Sequence, residues 1–496
     1  MVSVRLDKSK IPTEIIDVTT AIEAGGYEAY LVGGCVRDLL IGRTPNDWDV
    51  TTSAKPEQIQ ALFGEDETFY ENNFGTVGVK IEAGPEIDKD SIVEVTPYRT
   101  EGAYSDSRRP DEVKFSDSIH DDLKRRDFTV NAIAYRVVTD ELIDDYSGQA
   151  DLTNKILKAV GDADTRFNED ALRMMRALRL SAQLDFTIDG ETMVAIANNA
   201  DRLSKVSHER IRDEFNKIVL SDTPATALGL AEQLKMLEHI VPELREGIGC
   251  EQGKKAHKYE VFEHNLRAMQ HAADKGLTLE ERLASLFHDI GKPHSRRTKG
   301  NGYTFYGHEV VGARMAKEIM KRLKYPKEIS KNVESLVRWH MFFSDPDIVT
   351  LAAVRRMIAN VGEGSMQNLL RVRMCDRIGS GRPKEQPFRL RKYTAMVDEA
   401  LRSPISVGML AIDGGYIMST FSEKPGPRIG WVLHALLEDV LDNTDNNTEE
   451  FLTKKAKKLL KLNDDELREL GKSGAAKQKE ADDEEVAKLR EKHNVN

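Results

Sequence analysis

The sequence predicts an α+β fold, in which an N-terminal domain with a mixed β-sheet is followed by regions made only of helices. In the first third of the chain, short apolar runs and helical patterns mix without the strand–helix alternation of a parallel sheet. After Cys250, apolar residues recur at helical spacing. We therefore expect the sheet to be confined to the N-terminal part of the chain.

Composition narrows the class of protein. The 496 residues are enough for three or four domains, and 40% of them are hydrophobic. The net charge of −11 means that RNA, if it is bound, must contact a locally basic face. The three cysteines are far apart, which argues against a disulfide framework and a zinc ribbon. Since no apolar signal core and no run of membrane-spanning length is present, the sequence predicts a soluble, cytoplasmic protein without a membrane partner.

Residues 30–52 carry the first candidate site. An apolar strand is predicted to end in a glycine pair that includes Gly34, and a short helix containing Arg37 follows. Backbone N–H groups at such a turn, together with a guanidinium, can bind phosphate. Asp47 and Asp49 come next, on a second predicted strand where they would point the same way. Two carboxylates beside a phosphate site suit Mg²⁺ bound with a nucleoside triphosphate, although either motif alone is common in ordinary turns.

Other N-terminal elements support this arrangement. Helices are predicted over residues 11–24 and 55–63, and strands over residues 78–82 and 92–96. Glu94 lies on the last of these strands. It could bring a third carboxylate to the metal site, although a surface glutamate is the commoner explanation.

One helix is predicted over residues 167–186, with Asn168 as its N-cap. Four charged side chains would form one polar stripe on it: Asp170, Arg173, Arg176 and Arg179. A salt-bridged helix surface is the ordinary explanation of such spacing. A carboxylate can also accept from an exocyclic amine while a guanidinium donates to a ring nitrogen or carbonyl, so that Asp170 and Arg173 could present a fixed edge to cytosine or adenine. A further helix, capped by Ser207, is predicted over residues 207–220.

Histidines and aspartates gather on separate predicted helices in the C-terminal half of the chain. They are His264, His288, Asp289, His308, His340 and Asp376. Such side chains, pointing inward from several helices, form metal sites that activate water. One His-Asp dipeptide would prove nothing, but a purely structural helical domain has no need of all six.

Residues 371–392 are strongly basic, with eight Lys or Arg residues against two acidic ones. This segment is the best candidate for contact with an RNA backbone, although pairing of these cations with acidic neighbours is an equally good explanation. Residues 474–496 are predicted to be frayed or disordered, because they are highly charged and poor in apolar residues.

Three segments resemble known families. L-V-G-G-C-V-R-D-L-L-I-G-R-T-P-N-D-W-D-V-T-T resembles the head motif of the class II tRNA nucleotidyltransferases and bacterial poly(A) polymerases. R-R-D-F-T-V-N-A-I-A resembles their second motif, in which the second arginine, here Arg126, helps to hold the triphosphate. E-D-A-L-R matches their E-D-x-x-R motif, in which Asp170 and Arg173 would read the nucleobase and Arg176 and Arg179 would contact phosphate or base. The ordered His and Asp residues resemble the HD phosphohydrolase superfamily.

The resemblance implies a division of the chain into five segments. These are a nucleotidyltransferase head (12–165), a helical neck for nucleobase recognition and RNA binding (166–250), an HD domain (251–380), a helical body or tail that binds tRNA (381–445) and a charged extension (446–496). Residues 98–110 would form a flexible loop beside the active site.

The function that the resemblance implies is template-independent addition of C, C and A to tRNA 3′ ends from CTP and ATP. Asp47 and Asp49 would bind Mg²⁺, and the phosphates would be held by Gly34, Arg37 and Arg126. The HD cluster would bind a second divalent metal (Mn, Ni, Co or Mg) and hydrolyse phosphate monoesters or 2′,3′-cyclic phosphodiesters at RNA ends. The alternatives are a poly(A) polymerase, a restricted C-adding or A-adding enzyme, and an HD phosphohydrolase whose head only binds RNA.

Overall fold

The computed structural model describes residues 6–70, 75–82, 91–101, 113–253, 258–300, 302–342, 349–402 and 406–472. The chain divides into two compact units, Met1–Ile240 and Val241–Asn496. No helix within the described ranges combines the length and the apolar character that crossing a membrane requires. Most of the loop predicted at 98–110, from residue 102 onward, and the predicted disorder of 474–496 lie outside the described residues.

A mixed sheet forms the core of the first unit, as the sequence predicts. The strands of this unit are Ala29–Val32 (β1), Asp49–Thr52 (β2), Thr68–Tyr70 (β3), Val77–Ile81 (β4), Ser91–Pro97 (β5), Arg99–Glu101 (β6), Val113–Phe115 (β7), Ala134–Arg136 (β8), Glu141–Ile143 (β9), Ile156–Leu157 (β10) and Thr187–Ile188 (β11). Among the described residues, seven of them make one sheet in the order β3-β4-β5-β2-β1-β8-β9. Only β2 and β5 run parallel in it; the other neighbours are antiparallel. Leu31 pairs with Val50, so the end of β1 and the start of β2 meet in the middle of the sheet.

Helices cover this sheet and continue the unit beyond it. They are Thr13–Ala24 (α1), Gly34–Leu40 (α2), Pro56–Phe63 (α3), Ile119–Lys124 (α4), Gly148–Asn154 (α5), Ala163–Glu169 (α6), Leu172–Leu184 (α7), Gly190–Asn199 (α8), His208–Val219 (α9), Pro224–Gln233 (α10) and Leu237–Ile240 (α11). The helix α9 buries Ile211, Phe215 and Ile218, which recur at helical spacing on one face. It packs against α7, and this contact brings two charged helix faces together.

The prediction of a single helix over residues 167–186 is wrong, because the helix is interrupted at Asp170. Asp170 adopts an extended conformation (φ −140°, ψ 105°) between α6 and α7. Its carboxylate accepts a hydrogen bond from the Leu172 N–H at 3.0 Å, an arrangement that competes with helix continuation. The helix α6 is instead capped upstream by Asp162, whose side chain accepts from Thr165 N–H, so Asn168 is not an N-cap.

The second unit is helical in its described part, with one small hairpin. Its elements are Val261–Asp274 (α12), Leu279–Phe287 (α13), Lys292–Ser295 (α14), Arg297–Lys299 (β12), Gly302–Thr304 (β13), His308–Arg322 (α15), Lys327–Trp339 (α16), Leu351–Val361 (α17), Glu363–Gly379 (α18), Phe388–Ala400 (α19), Gly414–Phe421 (α20), Pro427–Asp442 (α21), Glu449–Leu459 (α22) and Asp464–Leu470 (α23). The helix α12 packs against α13 and α18, and α15 packs against α16. The β12–β13 hairpin was not predicted, because its strands are short and mainly polar.

A close backbone approach joins the turn after α13 to α15. A Cβ atom on Gly291 would lie 2.3 Å from the carbonyl oxygen of His308 and 2.5 Å from the backbone nitrogen of Gly312. Only glycine fits at such a distance. The segment that contains His288 and Asp289 is therefore held directly against the start of α15.

Candidate functional site

The first unit contains a polar cavity of about 570 Å³ at the meeting point of α2, β2 and α7. Six of the nine residues predicted for nucleotide and Mg²⁺ binding line it: Gly34, Arg37, Asp47, Asp49, Arg176 and Arg179. The remaining three, Arg126, Asp170 and Arg173, are not among its lining residues. The structure thus brings most of the predicted side chains to one place.

The two predicted carboxylates reach this cavity from different positions. Asp49 is the first residue of β2 and is partly buried, whereas Asp47 precedes the strand and is exposed. The prediction that both lie on the strand is therefore wrong, but the tight turn still directs both into the same cavity. Glu94 is exposed and aligned with Asp49 in the parallel register of β2 and β5, so it remains a candidate third carboxylate.

Gly33 lies between the carboxylate of Asp49 and the guanidinium of Arg126. Its φ of +76° is rarely adopted by other residues. A Cβ atom there would lie 3.1 Å from Arg126 Nη1 and 3.6 Å from Asp49 Oδ2. The absence of a side chain therefore leaves Arg126 and Asp49 facing each other across a narrow gap. Gly34 was the predicted member of this pair, and the geometry adds Gly33.

A hydrogen-bonded chain fixes two arginines at the cavity. Arg37 donates to Asp38 at 2.9 Å and to Asn131 Oδ1 at 2.8 Å. Asn131 in turn donates to Asp127 Oδ1 at 3.1 Å, and Arg176 Nε donates to Asp127 Oδ2 at 2.8 Å. Asp127 is thus the hub that links Arg37 and Arg176. Burial alone would raise the pKa of Asp127, but the charge of Arg176 and the hydrogen bond from Asn131 lower it well below the usual range.

Arg126 is anchored from the other side by a buried carboxylate. Its Nη2 donates to Asp122 Oδ2 at 2.9 Å, and Arg125 also binds Asp122, at 2.6 Å. Burial would raise the pKa of Asp122, but these two arginines lower it below the usual value. The Nε of Arg126 is buried and has no hydrogen-bond partner among the described residues. Arg126 is therefore held by Asp122, with its Nη1 next to Gly33.

The residues of the predicted base-reading edge are paired with other protein groups. Asp170 accepts from Arg210 of α9 at 2.7 and 3.3 Å. Arg173 pairs with Glu169 at 2.6 Å and donates to the carbonyl oxygen of Arg125 at 2.9 Å. Asp170 and Arg173 do not share a helix, and their role in reading a base stays a prediction.

Arg179, the last member of the predicted stripe, lies beside a second acid of α9. Its Nε is 2.8 Å from Glu214 Oε2, although the angle is too poor for a hydrogen bond. Glu214 and Arg210, like Asp127 and Asn131, were not identified from the sequence. Their only signal was the amphipathic pattern of α9 and the R-R-D-F-T-V-N motif, and neither specifies a partner.

A second cluster lies in the second unit, where all six predicted His and Asp residues converge. The His264 Nε2 is 2.9 Å from His288 Nε2, 3.0 Å from Asp289 Oδ2 and 3.4 Å from Asp376 Oδ1. On the other side, Asp289 Oδ1 is 3.1 Å from His308 Nε2 and 3.6 Å from His340 Nε2. Two groups able to hold a metal ion result, and Asp289 belongs to both.

Three of the histidines are oriented by the backbone. The Nδ1 atoms of His288, His308 and His340 lie 2.7–2.8 Å from the carbonyl oxygen three residues earlier, at Ser285, Phe305 and Val337. An Nδ1–H donated to a carbonyl leaves the Nε2 lone pair for a metal. All three Nε2 atoms point into the cluster. The donor set therefore fits divalent metal ions.

The charge of Asp289 and the burial of the cluster shift the pKa values of its histidines in opposite directions. Burial would lower the pKa of His288, but the carboxylate of Asp289 raises it to about 10. Burial lowers the pKa of His340 to about 4. Asp289 Oδ2 is buried without a well-aligned hydrogen-bond donor among the described residues, although Lys292 Nζ lies 2.5 Å away. The charges of Lys292 and His288 hold the pKa of Asp289 well below its usual range despite burial, so this carboxylate is ionised and able to bind a cation.

The predicted basic segment at 371–392 is partly neutralised, as its alternative explanation anticipates. Arg371 pairs with Glu281, and Arg373 pairs with Asp376 at 2.7 Å. Arg377 and Arg382 have no carboxylate within salt-bridge distance in the part of the chain that the structure describes. Only a subset of the segment is therefore available to an anionic ligand.

The buried Asp127 yields a prediction about stability. Its lowered pKa means that it stabilises the fold fully above its ordinary value of about 3.9, and that this contribution is lost as the pH falls further. Asp127→Asn would place an amide N–H against Arg176, so we expect a loss of about 3 kcal/mol at pH 7. The measurement is chemical denaturation between pH 3 and pH 7, with the exposed Asp66→Asn as the control. A difference that does not shrink toward pH 3 would contradict the assignment.

Comparison with known proteins identifies three domain types. A poly A polymerase head domain matches residues 29–158, a probable RNA- and SrmB-binding site of polymerase A matches residues 185–248, and an HD domain matches residues 261–378. The CCA-adding enzyme of Enterococcus faecalis is 33% identical over 449 residues, which cover 90% of this chain and 95% of that enzyme.

Other relatives match over a shorter stretch. The CCA-adding enzymes of Leuconostoc mesenteroides and Lactiplantibacillus plantarum are 41% and 46% identical over 47% and 42% of this chain. The chain spans about half the length of these relatives, 56% and 50%. The crystal structure of the Bacillus stearothermophilus CCA-adding enzyme in complex with CTP is 25% identical, with a TM-score of 0.66 over 90% of this chain and 98% of that one. The Thermotoga maritima CCA-adding enzyme complexed with tRNA, 18% identical with a TM-score of 0.53, shares the fold.

Proposed function

Because this chain belongs to the family of CCA-adding enzymes, we propose that it adds C, C and A to the 3′ ends of tRNA, using CTP and ATP. The observation that carries this proposal is the convergence of Asp47, Asp49 and Arg37 on one polar cavity, with Arg126 facing Asp49 across Gly33. The division into head, neck, HD domain, body and extension at the boundaries given above is part of the same proposal.

Asp47 and Asp49 are the residues that would hold Mg²⁺. Mg²⁺ in nucleotide enzymes is bound by one or two carboxylates together with substrate phosphates, which fits two carboxylates at an open polar cavity. When bound, the ion would neutralise the triphosphate and activate the 3′-hydroxyl of the tRNA. Arg37 and Arg126, held by Asn131 and Asp122, are positioned to orient the phosphates. Their contribution is positioning and charge neutralisation, which dominate catalysis of phosphoryl transfer reactions.

The experiment that tests this proposal is incubation with tRNA that lacks its 3′ CCA, with CTP alone, ATP alone or both. Full CCA addition requires both nucleotides and stops after three residues. Addition of C only, addition of A only, or extension into a poly(A) tract would each identify one of the alternatives. No incorporation at all would favour the HD phosphohydrolase with an RNA-binding head.

Base selection by the neck gives a second prediction. We propose that Asp170 and Arg173 read the amino group and ring nitrogen that C and A share, after Asp170 is released from Arg210. A base with the opposite pattern, U or G, would leave two buried polar groups unpaired at about 1–3 kcal/mol each, so discrimination should reach about a hundredfold. Asp170→Ala and Arg173→Ala are expected to lose most of it. The measurement is single-turnover incorporation of all four nucleotides.

A control for this prediction is available on α9, the helix that carries Arg210. Arg212 of α9 pairs with its neighbour Asp213 at 2.7 Å. Arg212→Ala should keep the preference for CTP and ATP. If Asp170→Ala and Arg173→Ala also keep it, the paired charges of α7 and α9 are structural and base choice lies elsewhere.

The second cluster supports a separate activity, a metal-dependent phosphohydrolase. The supporting observation is that His288, His308 and His340 each direct Nε2 toward Asp289 while the backbone holds Nδ1. In the reaction, water would form a new bond to phosphorus, the bond to the substrate's alcohol oxygen would break, and that oxygen would take up a proton. The metal proposed for these mixed His and Asp ligands is Mn, Ni, Co or Mg. Hydrolysis of a phosphate monoester or a 2′,3′-cyclic phosphodiester, assayed with each of these ions, tests it.

A further inference from the structure

A cavity of about 550 Å³ opens beside the His–Asp cluster in the second unit. Asp289, His308 and Asp376 form one wall of it, so the predicted reaction centre lies at its edge rather than in its middle. The remaining wall holds four cations: Lys292, Arg373, Arg377 and Arg382. The part of the cavity beyond the cluster is therefore lined by positively charged side chains.

The four cations fall into two pairs. Lys292 and Arg373 are bound to the carboxylates of the cluster, at 2.5 Å from Asp289 and 2.7 Å from Asp376. The other two, Arg377 and Arg382, have no carboxylate partner among the described residues, and Arg377 makes only a weak contact, 3.4 Å, to the carbonyl oxygen of Lys384. Two uncompensated guanidinium groups at one cavity are a site for an anion.

The end of α18 sets the arrangement of this pair. Asp376 and Arg377 are adjacent near its C-terminal end, and neighbouring side chains on a helix do not face each other. Arg382 follows beyond the helix, where its N–H donates to the carbonyl oxygen of Arg377 at 3.2 Å, so the chain folds back and brings the two arginines close together. The pair therefore forms a cationic site beside the reacting position rather than at it.

Aromatic side chains complete the cavity. Tyr303, the middle residue of β13, is covered by the guanidinium of Arg296 at 3.7 Å. Tyr306 also lines the cavity and is 65% exposed, an unusual position for a large aromatic residue. The residue between Tyr306 and the hairpin, Phe305, accepts from His308 Nδ1 at 2.7 Å, which ties this segment to the cluster. An exposed ring in the lining of such a cavity is a platform for a nucleobase.

We propose that this cavity binds a nucleotide that carries two separate phosphate groups. One phosphate lies at the His–Asp cluster, the second on Arg377 and Arg382, and the base stacks on Tyr306. This inference rests on the phosphohydrolase function proposed above and narrows its substrate class. The same chemistry occurs in a free nucleoside bisphosphate and in the phosphorylated 3′-terminal nucleotide of an RNA, which is flanked by a phosphodiester.

The test is equilibrium binding by calorimetry to the full chain in the presence of Ca²⁺, in an Asp49→Asn background that weakens the head's own nucleotide site. The ligands are adenosine 3′,5′-bisphosphate, adenosine 3′-monophosphate and adenosine 5′-monophosphate. We expect the bisphosphate to bind at least about tenfold more tightly than either monophosphate, because a second charge-assisted contact is made. Arg377→Gln with Arg382→Gln should remove most of that difference. Lys384→Gln, an exposed cation that does not line the cavity, should preserve it.

Two further binding measurements test the aromatic ring and the source of the ligand. Tyr306→Ala should weaken all three ligands, and Tyr306→Phe should restore them, since only the ring is needed. A trinucleotide RNA with a 3′-phosphate is compared with the free bisphosphate. The ligand whose affinity falls more in the double arginine variant is the one that this site recognises, an RNA end or a free nucleotide. Equal affinity for the bisphosphate and the monophosphates, or a preference that survives in the double variant, overturns this inference alone. If no nucleotide is bound and no phosphate ester is hydrolysed, the phosphohydrolase proposal fails as well.

Discussion

Asp49→Asn is expected to lower the rate of nucleotide addition about a thousandfold or more, because a metal ion that neutralises transferring phosphates is worth several kcal/mol of transition-state stabilisation. Asparagine keeps the shape of the side chain at the start of β2 but removes the charge. Asp47→Asn should have an effect of the same kind, since both residues line the cavity. The measurement is kcat for addition of a single C to tRNA that lacks its CCA end, together with the dissociation constant for that tRNA.

Asp222→Asn is the matched control for this loss. Asp222 lines the same cavity and is exposed, but it is not part of the D-W-D motif. Its removal should change kcat by less than about threefold, as expected for a surface charge that contacts neither metal nor phosphate. Unchanged tRNA affinity in Asp49→Asn would show that the loss is catalytic. Appreciable addition by both Asp47→Asn and Asp49→Asn would exclude them as the metal ligands.

Short motifs allowed the catalytic cavity to be predicted because its chemistry is local. Gly34, Arg37, Asp47 and Asp49 lie within sixteen consecutive residues, and antiparallel pairing of β1 with β2 is enough to bring them together. The mixed sheet and the helical second unit were predicted correctly for a similar reason. Each follows from patterns within one element, which do not depend on the rest of the chain.

The partners of the charged residues could not be predicted, because they are chosen by packing between elements that are distant in sequence. The spacing of Asp170 and Arg173 suggested a shared helix face, yet Asp170 pairs with Arg210, forty residues later, through the contact of α7 with α9. Asp127 is another case. It was visible in the R-R-D motif, but its role as the hub between Asn131 and Arg176 depends on the approach of α7 to this segment, about fifty residues earlier in the chain.

The six residues of the second cluster were found despite their long separation because they are rare residue types in an ordered series. Their division into two groups was not foreseen. It arises because Asp289 faces His264 and His288 with one oxygen and His308 and His340 with the other. The close approach at Gly291 makes this possible, since it places Asp289 against the first residue of α15. Position along the chain does not reveal such a shared ligand.

This sharing makes Asp289 the most sensitive residue of the second cluster. Asp289→Asn should remove divalent metal from both groups and lower phosphohydrolase activity about a thousandfold or more. Asp376→Asn should weaken only the group with His264 and His288, because Asp376 is not near His308. The measurements are bound metal per chain by mass spectrometry and the hydrolysis rate with Mg²⁺, Mn²⁺, Ni²⁺ or Co²⁺.

The exposed Asp274→Asn on α12 is the control for folding and surface charge, and CCA addition should persist in every one of these variants because its candidate site lies in the other unit. Equal metal loss from Asp289→Asn and Asp376→Asn would indicate one shared ion rather than two groups. Full metal content in Asp289→Asn would exclude it as a bridging ligand. A wild-type protein that binds metal but hydrolyses no phosphate ester with any of the four ions would make the cluster a structural centre, since its buried carboxylates would then serve only to hold five helical segments together through the ions.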